Sequence, residues 1–200
     1  MPTEARILKV KRVLDSRQPD LRVVLQGVTV PHNASAVMRT CDAAGVLYVD
    51  LISPSPELLN FNESITTGAH KWLETSVHRT PAECLPRLKE KGFHVAAAHL
   101  SAEGRAYTDF DYARPVALVF GSESFGLSAE ALAYADSVIR IPMLGMVQSL
   151  NLSVSVAVIL FEAVRQRALK GYFNGPRLAA EEYRRLMDKW LRTSPADKPD

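Results

Sequence analysis

Residues 141–162, IPMLGMVQSLNLSVSVAVILFE, gather side chains able to shape a binding site. Met143, Leu144, Gly145, Met146 and Val147 make an oily loop where connections are normally polar. Thioethers, apolar faces and a glycine that admits close backbone suit a flat ring such as adenine. Gln148, Ser149 and Asn151 follow at once, and Ser149 suits the N-cap of a following helix. Three more segments put small or polar residues just past apolar runs: VPHNASAVMRT (30–40), AAHL (97–100) and FGSESFGLS (120–128). They carry an amide, Asn33, a guanidinium, Arg39, and a carboxylate, Glu123. Read locally, these are an N-cap, a surface cation and a loop carboxylate near a helix start.

Several chemistries have no residues to perform them. The chain lacks the G-x-G-x-x-G dinucleotide fingerprint, a P-loop and a G-x-S-x-G elbow. Its five His are scattered, and Cys41 and Cys84 have neither metal nor redox spacing. Both thiols read as packed side chains of a protein kept in a reducing cytoplasm. No covalent nucleophile, metal centre or nucleotide-phosphate cradle is expected.

The elements that must position these residues alternate strand and helix. A helical period covers 3–17, with Ile7, Leu8, Val10, Val13 and Leu14 near one face, and Pro19-Asp20 should stop it. Strands are expected at 21–28, 46–52, 72–78, 93–100, 115–121 and 137–143, with helices at 33–45, 80–92, 128–136, 150–170 and 178–192. Pro86 predicts a kink or a late start in the 80–92 helix. Residues 53–69 read as a long loop and 193–200 as a disordered tail. Alternation of this kind gives a parallel α/β sheet, with ligands beyond the carboxyl ends of the strands.

At 200 residues and 47% hydrophobic content, the chain can bury one domain's core. Its apolar runs and its first residues lead us to expect neither a membrane-spanning helix nor a secretory leader. Its net charge of +2 is unevenly spread. Residues 1–22 hold six Lys/Arg against three Asp/Glu, residues 23–164 nine against fourteen, and residues 165–200 nine against five. Basic ends on an acidic body point to a polyanion partner at the ends.

PHNASAVMRTCDAAG (31–45), LVFGSESFGLS (118–128) and the 141–162 segment resemble, in order and spacing, the three motifs of the SPOUT-class RNA ribose 2′-O-methyltransferases. Within that class the chain is most similar to the TrmH family of tRNA guanosine 2′-O-methyltransferases. The similarity covers nearly the whole chain. It implies a parallel sheet flanked by helices, a deep C-terminal trefoil knot and terminal basic helices. The implied layout is an N-terminal basic extension (1–20), a knotted methyltransferase domain (21–170) and a C-terminal extension and tail (171–200). It also implies S-adenosylmethionine as methyl donor, tRNA as partner and a cytoplasmic homodimer whose subunits share each active site. No membrane or metal is implied.

By this resemblance, Ile141, Met143, Leu144, Gly145 and Leu150 surround the donor, and Gly121, Ala98 and Leu100 complete the cleft. The oily loop would be a knot wall over the adenosine. Arg39 would be the central catalytic residue. A guanidinium is a poor base, so either it grips a phosphate and steadies the forming alkoxide, or the site makes it basic enough to take the proton. Asn33 would position Arg39 or the ribose, and Glu123 would orient Asn33 or bind the nucleotide. Ser149 and Asn151 would hold the donor and support the catalytic loop. Arg6, Lys9, Arg12, Arg17, Arg165, Arg167, Lys170 and Arg177 would track RNA phosphates. Tyr183 and Trp190 read as packing residues. The implied reaction is 2′-O-methylation of the D-loop guanosine at the eighteenth position of tRNA. Ribosomal RNA, another tRNA position, or a non-catalytic RNA-binding role stand as alternatives.

Overall fold

Alternate residues of one strand feed two different cores. Strand β1 (Gln18–Gln26) sends Leu21, Val23 and Leu25 into one apolar cluster and Val24 into another. That is the period-two geometry of a strand covered on both faces. The computed structural model describes residues 2–28, 30–55 and 68–193. Most of the expected 53–69 loop and nearly all of the expected tail lie outside the described residues.

Around β1 the sheet adds β2 (Val46–Ile52), β3 (Glu74–His78), β4 (His94–Ala98), β5 (Arg105–Ala106), β6 (Val116–Phe120) and β7 (Ser137–Arg140). The order is β3-β2-β1-β6-β4-β7-β5, and every pairing is parallel. Helices α2 (Pro31–Ala43) and α5 (Leu152–Leu169) supply one cluster, through Val37, Met38, Cys41, Val156, Ile159 and Leu160. Helices α3 (Pro81–Glu90) and α4 (Ala129–Ala133) supply the other, through Cys84, Leu85, Leu88 and Ala131. Both cysteines are buried, as expected.

Helices α1 (Glu4–Asp15) and α6 (Ala180–Arg192) close a third cluster around Val10, Leu14, Leu47, Leu186 and Trp190. Trp190 meets Trp72 edge to face at 5.6 Å, so it packs the terminal helix as predicted.

Local chemistry moved several boundaries. Helix α1 ends at Asp15, and β1 begins at Gln18 rather than 21, because a register shift between Gln18 and Arg22 absorbs Pro19 inside the strand. Pro31 opens α2 instead of merely ending the strand before it, since the first helical N–H needs no partner. Helix α3 starts at Pro81 and carries Pro86 inside it, so the late start is not observed. Strand β7 stops at Arg140, short of the predicted 143, because Pro142 has no N–H for the ladder. The two-residue β5 has no periodic signal and was not expected.

Candidate active site

The carboxyl ends of β4, β6 and β7 and the start of α5 enclose a cleft of about 260 Å³. Ala98, Leu100, Phe120, Ile139, Ile141, Met143, Leu150, Leu152 and Ile159 form its apolar wall. Ser122, Glu123, Ser149 and Ser155 add polar groups, with His99 and Arg140 at the lining. Gly121 is required by close approach: a Cβ there would stand 2.1 Å from the Gly126 carbonyl carbon. Backbone bonds between Ser122 and Gly126, 3.1 and 2.9 Å, fold that loop tightly against the strand end. An apolar wall with a few convergent polar groups fits the adenosine of S-adenosylmethionine.

A directed chain of amides leads from α5 to the cleft. Asn151 caps α5, its Oδ1 accepting from the Ser153 N–H at 2.9 Å. A backbone N–H can only donate, so the Asn151 Nδ2 must face the other way. It donates to Asn33 Oδ1 at 3.2 Å. Asn33 is 8% exposed, and its Nδ2 donates to Glu123 Oε1. The polarity of the helix start thus fixes which atom of Asn33 meets the carboxylate.

This geometry corrects two local readings. Asn33 does not cap α2, whose N-cap is Val30, and its amide is spent on Glu123. Ser149 does not cap α5, because Asn151 does, and this leaves Ser149 at the cleft. Ser and Asn cap almost equally well, so propensity alone could not separate them.

Arg39 stands apart. It is exposed on α2, outside the cleft lining, and its side chain makes no hydrogen bond or ion pair among the described residues. Six residues of helix is about 9 Å of rise and turns Arg39 about 120° from Asn33. Leu144 and Gly145 also miss the cleft. Leu144 is 98% and Met146 100% exposed, so in one chain the middle of the oily loop projects outward, and of the predicted donor contacts in this segment Ile141, Met143 and Leu150 reach the wall. Among the residues not anticipated, Ser155 had a readable signal: a polar residue on the stripe of Leu152 and Ile159.

The proposed RNA contacts divide. Arg17 and Arg167 are fully buried and cannot touch RNA. Arg17 pairs with Asp42, donates to the Val46 and Trp72 carbonyls and lies over Trp190. Arg167 donates to the Tyr112 and Arg114 carbonyls, to Gln18, and to both the backbone and side chain of Asp20. Burial lowers its affinity for its proton, against the pull of Asp20. Arg6 caps the end of α6 through the Trp190 and Thr193 carbonyls. Arg165 pairs with Glu162 at 2.8 Å, and Arg177 with Asp20 at 2.6 Å. Lys9, Arg12 and Lys170 are exposed with no ion pair among the described residues.

The SpoU rRNA Methylase family matches residues 20–161. The chain belongs to that family. A relative from Thermus thermophilus, named tRNA (guanosine(18)-2′-O)-methyltransferase, is 50% identical over 95% of this chain and 97% of its own. The solved structure of the Aquifex aeolicus TrmH/SpoU tRNA modifying enzyme superposes with a TM-score of 0.89 at 42% identity, covering 94% of this chain and 95% of that one. An AdoMet-bound rRNA methyltransferase from Sinorhizobium meliloti gives 0.63 at 32% identity, over 77% of this chain and 59% of that one. The SpoU match ends within α5, so α6 lies beyond it.

Proposed function

We infer that the protein transfers the methyl group of S-adenosylmethionine to the ribose 2′-hydroxyl of the guanosine at position 18 of tRNA. The observation that carries this is the Glu123–Asn33–Asn151 chain at the rim of an apolar cleft of the donor's character. Relatives at 40 to 50% identity named for that reaction set the target. The bound donor supplies an electrophilic methyl and leaves as a neutral thioether, so the protein need provide no acid.

The protein's own residues orient the nucleotide and route one proton. Glu123 is held by Asn33 and offers its remaining acceptor sites to the nucleotide. A guanidinium keeps its charge, so Arg39 grips a phosphate and steadies the forming alkoxide, and the 2′-hydroxyl proton passes to that phosphate or to water. Ser149 and Ser155 face the donor.

A homodimer completes each site in this reading. Phe125, Leu144 and Met146, at 91, 98 and 100% exposure, are apolar loop residues beside a cleft that its own Arg39 does not line. Exposed apolar residues gathered on neighbouring loops mark an association surface. The 141–152 segment is read as knotted, and residues 1–20 and 171–200 as extensions of the catalytic domain. Among the described residues no helix is long and apolar enough to cross a membrane. A tRNA substrate is what supports a cytoplasmic location in this reading.

The test is methyl incorporation into tRNA transcripts, with the modified nucleotide mapped by mass spectrometry. Arg39→Ala should lower the rate by about 100-fold or more with little change in melting. Mixing Arg39→Ala with Glu123→Ala subunits should regain activity. A methyl mapped elsewhere overturns the target, and no recovery on mixing overturns the shared site.

A further inference from the structure

On the sheet face away from the cleft, three different metal-ligand types converge. Asp50 of β2, His78 at the end of β3 and Cys84 of α3 bring a carboxylate oxygen, an imidazole nitrogen and a sulfur within 4.8 Å of one another. Residues 50, 78 and 84 are too unevenly spaced to read as a site in sequence. Register brings them together: Ile52 pairs with His78 across β2 and β3, and α3 packs over both strands.

We propose that Asp50, His78 and Cys84 bind one zinc ion, with water in the fourth position. The Cys84 thiol is 1% exposed, makes no side-chain hydrogen bond among the described residues, and faces the carboxylate and imidazole. The His78 Nε2 lies 3.0 Å from Asp50 Oδ1, close to the separation of two ligands on a tetrahedral ion. Asp50 Oδ2 is held by Arg22 at 3.0 Å, the outer-shell partner that ligating carboxylates ordinarily carry. Carboxylate and thiolate together balance the ion. The remaining charge of Arg22 rests over the rings of Tyr48 and Phe93, at 4.2 and 5.3 Å. His78, with a side chain 15% exposed, leaves an entry path. A mixed S, N and O set suits zinc, and none of the three residues lines the cleft, so the ion ties edge strand and helix rather than joining the chemistry.

Binding releases the Cys84 proton to solvent, shifts the His78 proton from Nε2, where it is shared with Asp50, to Nδ1, and forms bonds from sulfur, nitrogen and oxygen to the metal, with no change of oxidation state. The full-length protein, stripped with a chelator, is titrated with Co²⁺ by absorption spectroscopy and with Zn²⁺ by calorimetry. One equivalent should bind, with a thiolate-to-cobalt charge-transfer band and visible bands of tetrahedral intensity. Cys84→Ser should abolish the charge-transfer band. It should also weaken zinc binding by more than the roughly 10- to 100-fold that loss of an outer-shell partner costs. His78→Gln, altering a part-exposed residue, should weaken binding while leaving the metal-free melting curve near wild type. Zinc should raise the melting temperature of wild type and not of either variant. Absence of binding, or a charge-transfer band that survives Cys84→Ser, overturns the site.

Discussion

Replacing Asn151 by Asp keeps an acceptor for the Ser153 N–H and removes the donor that fixes Asn33. Replacing it by Ala removes both. Loss of an N-cap costs about 1 kcal/mol, and loss of the hydrogen bond to Asn33 about another. The Ala variant should therefore melt about 4–8 °C below wild type for a chain of this size. The Asp variant keeps the cap and adds negative charge at a helix start, so its melting should stay within about 3 °C. Its activity should not. An Asp oxygen against Asn33 Oδ1 turns that amide over, and the Asn33 carbonyl then faces the Glu123 carboxylate. A hydrogen bond to a charged group is worth about 1.5–3 kcal/mol, or about 10- to 150-fold in rate if it holds Glu123 for the reaction. Melting by calorimetry and single-turnover methyl transfer at saturating donor separate the two effects. An Asp variant with wild-type rate would refute the amide chain, and one that melts like the Ala variant would refute the cap.

Gly121→Ala should abolish donor binding in calorimetry, because the added Cβ meets the Gly126 backbone and must reshape the loop that lines the cleft. Retained affinity would show that this loop does not form the donor wall. Asp136 contributes to the acid limb of stability. Burial alone would raise its pKa from 3.8, but hydrogen bonds from Lys89 and the Val95 N–H outweigh that and lower it. Its contribution is complete above the unfolded value of 3.8 and fades as pH falls through the lower folded value. Denaturant melts below pH 4 should fall less steeply for Asp136→Asn than for wild type, and identical slopes would remove Asp136 from the account.

Patterning made the strands and the long helices legible, because alternation and helical period are direct records of burial. What it could not give was the partner of a polar side chain. Asn33 reads as a cap until Glu123, 90 residues away, takes its amide. Arg17 and Arg167 read as RNA contacts because sequence shows charge and not depth. Carbonyls freed at irregular segments, such as those of Tyr112 and Arg114, demanded buried donors, and only the fold reveals which arginine answers. The oily loop was legible as unusual, yet its pattern did not show that Leu144 and Met146 would point away from the cleft.

Helix α5 joins the site to that structural core, and this changes how losses of activity must be read. Its 18 residues span about 27 Å. Its first turns carry the Asn151 cap and line the cleft with Leu152, Ser155 and Ile159. Its far end is pinned by Arg167, whose five hydrogen bonds tie α5 to β1 and the 112–114 segment. Arg167→Ala leaves Asp20 to Arg177 alone and takes the donors from the Asp20, Tyr112 and Arg114 carbonyls, at a cost of about 3–5 kcal/mol and so about 6–20 °C of melting. It should lower methyl transfer by loosening the helix that lines the cleft, which a simple activity assay would mistake for lost RNA contact. Salt dependence separates the two. Lys9→Ala and Arg12→Ala should leave melting unchanged, weaken tRNA binding and each reduce the log–log salt slope by about 1. Arg167→Ala, measured well below its melting point, should leave that slope unchanged. A reduced slope for Arg167→Ala would mean that this arginine leaves its buried acceptors to meet a phosphate.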